Sequence, residues 1–158
     1  MSISNHRISS FFEEDHDKLD ALFKKFVVSQ QAEPAVATEV FGRFTAGLLR
    51  HIHWEEEILF PLFEANEGSS EGPTQVNEGS SGGPTQVMRS EHALIKDLLE
   101  GIRLSLEKGT DSAEHERTLL NVLGEHNWKE EHVLYPAMDR QLTNGQLAEV
   151  FDRIAATM

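Results

Sequence analysis

Apolar side chains recur every three or four positions along most of this chain, which is the spacing of an amphipathic helix. Four long stretches have this spacing, and we predict helices over about residues 9–30, 34–65, 87–108 and 112–140. A shorter stretch over about residues 145–155 has the same spacing. Long alternation with a period of two is missing, so we predict no strands.

Each predicted helix has one apolar stripe, and a helix of this kind buries its stripe against other helices. Four long helices therefore favour an all-α, up-down-up-down four-helix bundle with a short C-terminal fifth helix that covers one end. We expect one domain over residues 1–158, with the bundle core over about residues 9–140. The stripe residues are Phe12, Leu19, Phe23, Phe26, Val40, Phe44, Leu48, Leu59, Leu62, Ile95, Leu99, Ile102, Leu106, Leu119, Leu123, Val133, Ala137, Leu147, Val150, Phe151 and Ile154.

A Gly/Ser/Pro-rich stretch separates the second and third predicted helices. It is a tandem repeat, NEGSSEGPTQV over residues 66–76 followed by NEGSSGGPTQV over residues 77–87. This composition is typical of a flexible connector. We interpret it as a duplicated loop, natural or engineered, and a mobile partner-binding loop is the alternative.

A second repeat relates the two halves of the chain. EDHDKLDALF in the first helix matches SEHALIKDLL in the third, and HIHWEEEILFP in the second matches HNWKEEHVLYP in the fourth. The chain is thus a helix pair used twice, which predicts a bundle with approximate twofold symmetry. A site built from matching residues of both halves would be nearly symmetric.

Six polar residues fall on the apolar stripes, where leucine or isoleucine is expected. Buried ionisable groups are costly unless they are paired or bind a metal ion. In an up-down bundle the four histidines lie at the same end, within roughly two helical turns of one another. They are therefore candidate metal ligands together with two glutamates: His16, His51, Glu55, His92, His126 and Glu130.

The spacing His-x-x-x-Glu occurs at His51 and again at His126, and it places nitrogen and oxygen ligands on one helix face. Glu131 is the alternative to Glu130, but a residue five positions along lies about 140° around an α-helix. Imidazole and carboxylate without sulfur suit iron, manganese or zinc. Two carboxylates shared between two ions favour a bridged dinuclear iron site.

Composition narrows the function further. The chain has no cysteine, which excludes disulfides, thiolate zinc sites and iron–sulfur ligation. A formal net charge of −13 disfavours nucleic acid and anionic membranes as partners. We recognise no signal peptide and no membrane span, so a cytoplasmic location is expected.

These motifs resemble the hemerythrin-like, or HHE cation-binding, domain family over about residues 9–140. The resemblance implies a pair of iron ions with an oxo or hydroxo bridge, and a small diatomic ligand such as O2 or nitric oxide. The residues that it implies are four imidazole ligands and two bridging carboxylates: His16, His51, His92, His126, Glu55 and Glu130.

One departure from the family pattern bears on function. Oxygen-carrying hemerythrins have a second histidine four positions after the first on helix three, and Lys96 stands there in this chain. The missing histidine predicts an open or water-filled coordination position. We interpret the chain as a non-heme di-iron protein that binds or reacts with O2, peroxide or nitric oxide, in sensing, scavenging or iron handling. Whether it is an enzyme stays open.

Two other functions remain as alternatives. A ferritin-like ferroxidase would carry Glu-x-x-His, whereas the order here is reversed and the spacing is four. A structural or interaction bundle would bind no metal.

The remaining polar and aromatic residues near these motifs are expected to have minor roles. His6, His53, His115 and His132 are expected on the surface. The pairs Phe60-Pro61 and Tyr135-Pro136 are expected to mark kinks rather than chemistry. Glu56 and Glu131 either hold a ligand histidine or lie on a solvated face.

Overall fold

The computed structural model describes residues 7–70 and 83–158, and these form helices joined by short turns. Two π-helical turns, Glu55–Leu59 and Glu130–Leu134, each join two α-helical segments into one continuous helix. The α-helical segments are α1 (Ile8–Ala32), α2 (Pro34–Trp54), α3 (Phe60–Ser70), α4 (Pro84–Lys108), α5 (Ala113–Lys129), α6 (Tyr135–Gln141) and α7 (Asn144–Ala156).

Local signals set the ends of these helices. Pro34 occupies the first turn of α2, where its missing N–H costs nothing. Gly109 ends α4 in the left-handed conformation, with φ of 72°. α1 then packs along α2, and α4 along α5. The prediction of an all-α bundle with a short C-terminal helix is confirmed.

The buried apolar side chains form two clusters. One contains Phe26, Phe44 and Ile102 and lies among α1, α2, α4 and α5. The other contains Phe12, Trp54 and Phe151 and brings α7 against the bundle. The indole Nε1 of Trp54 donates to Thr157 Oγ1 at 2.8 Å, just beyond α7. α7 therefore covers one end of the bundle, as predicted.

The π turns shift the buried face of each helix by one position. Val133 was predicted on the apolar stripe but is 54% exposed, while Leu134 is buried. Likewise Leu62 is half-buried and Phe63 is buried. A π turn holds one residue more than an α turn, so the residues after it rotate around the helix axis. The strict α-helical spacing assumed for residues after Glu55 and Glu130 was wrong for this reason.

The predicted connector over residues 66–87 is shortened at both ends, because α3 extends to Ser70 and α4 begins at Pro84. Its centre, residues 71–82, lies outside the described part of the chain. Within the described ranges no helix combines the length and apolar character that a membrane span requires.

Candidate metal centre

The six residues predicted as metal ligands lie together between the two apolar clusters. α1 supplies His16, α2 supplies His51, and α4 and α5 supply His92 and His126. Each π turn begins with one of the two glutamates, and both glutamates are fully inaccessible to solvent. All four histidines are buried as well: His16, His51, His92 and His126.

The histidines of α4 and α5 face one oxygen of each glutamate. His92 Nε2 lies 3.0 Å from Glu55 Oε1, and His126 Nε2 lies 3.2 Å from Glu130 Oε2. These four residues offer ligand atoms that all lie within 4.8 Å of one another. We call this the His92–His126 position.

The histidines of α1 and α2 face the other two carboxylate oxygens. His16 Nε2 lies 3.1 Å from Glu130 Oε1, and His51 Nε2 lies 3.4 Å from Glu55 Oε2. We call this the His16–His51 position. Each glutamate therefore presents one oxygen to each histidine pair, which is the arrangement of a carboxylate that bridges two ions.

The polar atoms at the His92–His126 position fit a cation better than they fit one another. In the described part of the chain, Glu55 Oε1, His92 Nε2 and Glu130 Oε2 are buried and have no hydrogen-bond partner. His92 Nε2 and Glu55 Oε1 are 3.0 Å apart, yet they are not aligned as donor and acceptor. Buried polar atoms without partners are costly, and a shared cation would satisfy all three.

A carboxylate lies within hydrogen-bond distance of the outer nitrogen, Nδ1, of each of the four buried histidines. The Nδ1 of His16 lies 2.7 Å from Glu131, and that of His92 lies 2.7 Å from Glu56. In the same way, His51 Nδ1 lies 2.8 Å from Asp15 and His126 Nδ1 lies 2.8 Å from Glu91. A proton on Nδ1 is fixed by such a carboxylate, which leaves the Nε2 lone pair free for a metal ion.

A family model, the hemerythrin HHE cation binding domain, matches residues 7–138. The chain belongs to this family. The HHE domain is also similar to a protein of Nostoc sp. strain PCC 7120 that is described as a DNA nickase, with 28% identity over 132 residues. The match covers 84% of this chain but only 33% of the relative. No solved structure matches this chain.

Family membership implies cation binding, and the buried His/Glu cluster of this HHE domain fits a metal site. The structure also separates the two candidate carboxylates of the π turn that follows α5. Glu130 is buried between the histidine pairs, whereas Glu131 is partly exposed and holds the outer nitrogen of His16. The sequence left two roles open for Glu131 and its counterpart Glu56, namely holding a histidine or lying on a solvated face. Both residues contact a histidine in the structure.

The surroundings of this cluster shift the pKa values of its buried groups. Burial lowers the pKa of His51, but the charge of Glu55 and the hydrogen bond with Asp15 outweigh it and raise the pKa to about 10. Burial likewise lowers the pKa of His126, and Glu130 raises it to about 9. Burial raises the pKa of Glu55, but the charge of His51 and its hydrogen bonds hold it well below the usual range. Without a bound cation, the charges of protonated His51 and His126 would offset those of the neighbouring carboxylates.

Sequence reasoning missed three contributors to the centre. Asp15 and Glu91 each precede one of the four buried histidines, and this repeated acidic residue was the available signal. Tyr135 was expected to mark a kink only. Instead its hydroxyl donates to Glu55 Oε2 and lies 2.8 Å from Glu130 Oε1. Burial and both glutamates raise the pKa of Tyr135 well above its usual value.

The π turn explains why Tyr135 was missed. The Tyr135 N–H donates to the Glu130 carbonyl, five residues earlier, so residues 130 and 135 face the same way. In an uninterrupted α-helix they would lie about 140° apart. The histidines predicted at the surface, His53, His115 and His132, are exposed as expected, and His6 lies outside the described residues.

Proposed function

We propose that this HHE domain binds two iron ions, one at each histidine pair, and binds or reacts with O2, peroxide or nitric oxide. The observation that carries this proposal is the pair of glutamates: each presents its two oxygens to two different histidine pairs. Bound iron supplies open coordination positions and electrons for such small molecules. The role could be sensing, scavenging or iron handling.

Charge and ligand chemistry support two divalent ions. Glu55 and Glu130 are fully buried carboxylates, and buried charges require a counter-charge. Four imidazoles and two carboxylates without sulfur suit iron among the common transition metals. Aromatic rings also shield the cluster, because Phe12 packs edge-on against His51 and Phe60 stacks on His92.

Two other functions receive less support. DNA nicking is the described activity of a relative two-thirds of which lies outside the match. It requires contact with a DNA backbone, which a net charge of −13 opposes. Ferroxidase chemistry of the ferritin-like type would use Glu-x-x-His, and the order of ligands in this chain is the reverse.

The test is to load the metal-free protein anaerobically with ferrous iron, count iron per chain, and follow the visible spectrum as air is admitted. We expect two iron ions per chain and a change in the visible spectrum when O2 arrives. A long-lived oxygenated spectrum would favour binding or sensing, and rapid conversion to a ferric form would favour redox chemistry or iron handling.

Matched variants make this test specific. His126→Leu removes a histidine from the cluster, whereas His115→Leu, on the same helix, removes an exposed one. We expect iron loss in the first variant only, with helical circular dichroism unchanged in both. Full iron content in His126→Leu, or no iron in the unmodified protein, would contradict the proposed function.

A further inference from the structure

The two ion positions differ in one side chain, that of Tyr135. Its hydroxyl oxygen lies 2.5 Å from Glu55 Oε2 and 2.8 Å from Glu130 Oε1. The same oxygen lies 3.3 Å from His51 Nε2 and 3.5 Å from His16 Nε2. The hydroxyl oxygen thus contacts the candidate ligand atom of each of the four residues that face the His16–His51 position.

These hydrogen-bond distances also match the separations between ligands of one ion. Nitrogen and oxygen ligands lie about 2.0 to 2.2 Å from a transition-metal ion. Neighbouring ligands at right angles are then separated by about 3 Å, which is the middle of the observed range. The phenol oxygen is therefore placed as a further ligand at the His16–His51 position, beside the imidazoles and carboxylates.

Phe60 occupies the matching place in the other half of the molecule. Its ring stacks on His92 with a centroid distance of 6.0 Å, and the Tyr135 ring lies 5.9 Å from that of His16. Phe60 also follows a π turn, as Tyr135 does. The two aromatic residues are thus equivalent in position, but Phe60 has no oxygen to offer to an ion.

The unpartnered polar atoms follow the same division. Three polar atoms of the cluster, Glu55 Oε1, His92 Nε2 and Glu130 Oε2, have no hydrogen-bond partner among the described residues, and all three face the His92–His126 position. At the His16–His51 position, Tyr135 satisfies the other oxygen of each glutamate. Lys96 does not fill the His92–His126 position, because its side chain is exposed on α4.

We propose that Tyr135 is a ligand of the ion at the His16–His51 position, and that small exogenous ligands bind to the ion at the His92–His126 position. This inference rests on the proposed function, since it presumes two bound ions. On ligation the phenol O–H bond breaks, the electron pair stays on the oxygen, and the proton passes to the solvent buffer. The presence of Lys96 on α4 in place of a second histidine, together with the added phenolate, makes the two ions unequal.

Tyr135 is the single tyrosine of the chain, so its signals need no assignment. The experiment is to load the full chain with two ferric ions and record the visible and resonance Raman spectra. We expect a phenolate-to-iron charge-transfer band with phenolate ring vibrations, and these vibrations should shift when the protein is grown on ring-deuterated tyrosine. This labelling leaves the sequence intact, so it cannot fail through misfolding.

Two substitutions complete the test. Tyr135→Phe should retain two irons per chain but lose the phenolate band. Phe60→Tyr places a hydroxyl at the matching residue, and we expect it to weaken azide binding on the order of tenfold, because azide must displace a second phenolate. Azide affinity in Tyr135→Phe should be no weaker than in the unmodified protein.

The outcomes separate this inference from the proposed function. Two irons per chain with no phenolate vibrations would overturn the ligand role of Tyr135 and leave the di-iron centre standing. Unchanged azide affinity in an iron-loaded Phe60→Tyr protein would overturn the assignment of the exogenous site. Failure of the unmodified protein to bind iron would overturn both proposals.

Discussion

At the scale of single residues, the centre depends on side chains one contact away from the candidate ligands. Glu56 and Glu131 hold histidines of the opposite half, whereas Asp15 and Glu91 hold histidines of their own half. Glu91 is also paired with Lys129. Burial raises the pKa of Glu91, but Lys129 and His126 lower it below its usual value. Glu91 thus stays ionised and keeps the outer proton of His126 in place.

The pair Glu56 and Glu57 gives a matched test of this role. We expect Glu56→Gln to lower metal affinity by about 10- to 100-fold, because the amide holds the His92 proton less strongly than the carboxylate does. Glu57→Gln, which removes the same charge from an exposed neighbour, should change it little. Competition with a chelator of known affinity measures both. Equal affinities in the two variants would contradict a specific role for Glu56.

At the scale of helices, the two π turns are the feature that shapes the site. Each begins at a buried glutamate and ends just before an aromatic residue and a proline, at Phe60-Pro61 and Tyr135-Pro136. Proline lacks an N–H, so it tolerates the changed hydrogen-bond pattern at the end of each turn. The turns rotate both aromatic rings towards the histidines. Both halves of the chain contain such a turn, whereas only the second half has an aromatic residue with a hydroxyl, Tyr135.

Helix packing near the centre depends on close contact between α1 and α2. A Cβ added at Gly47 would lie 2.9 Å from a methyl carbon of buried Leu19. We therefore expect Gly47→Ala to destabilise the protein by about 1 to 3 kcal/mol through overpacking. At Gly42, on the same helix, an added Cβ would meet no other described part of the chain within 4 Å beyond the helix's own backbone, so Gly42→Ala should instead stabilise the protein by about 0.5 to 1 kcal/mol. Urea denaturation measures both free energies, and a stabilised Gly47→Ala variant would show that Leu19 moves aside freely.

At the scale of the whole molecule, a charged layer separates two apolar clusters. Glu55, Glu130 and four histidines lie between the cluster around Phe44 and the cluster around Phe151. Without a bound cation, the raised pKa values of His51 and His126 would keep these two histidines protonated beside the carboxylates at neutral pH. The free energy of unfolding of the metal-free protein therefore depends on pH through this layer.

The sign of this dependence follows from the direction of each shift. His51 and His126 have pKa values raised from 6.5 to about 10 and about 9, so their stabilisation is complete below pH 6.5 and is lost as the pH rises through 9 to 10. The lowered pKa of Glu55 adds stabilisation above pH 4.5 that is lost in acid. We expect the metal-free protein to be most stable between about pH 4.5 and 6.5.

Urea denaturation of the metal-free protein at pH 6 and pH 9.5 checks this expectation, with a lower free energy of unfolding at the higher pH. Metal affinity should show the opposite trend, because both histidines must lose a proton before they bind an ion. Equal stability of the metal-free protein at the two pH values would show that these histidines are not protonated in the folded state.

The sequence alone determined the helices, the bundle and the six residues that meet at its centre. Helical periodicity and the internal repeat carry that information, because residues four apart share a face and equivalent helices bring equivalent residues to one level. Only the tertiary structure decided the rest. A π turn inserts one residue into the helix without a periodic signal in the sequence, so the exposure of Val133, the place of Tyr135 and the difference between the two histidine pairs became visible only in the folded chain.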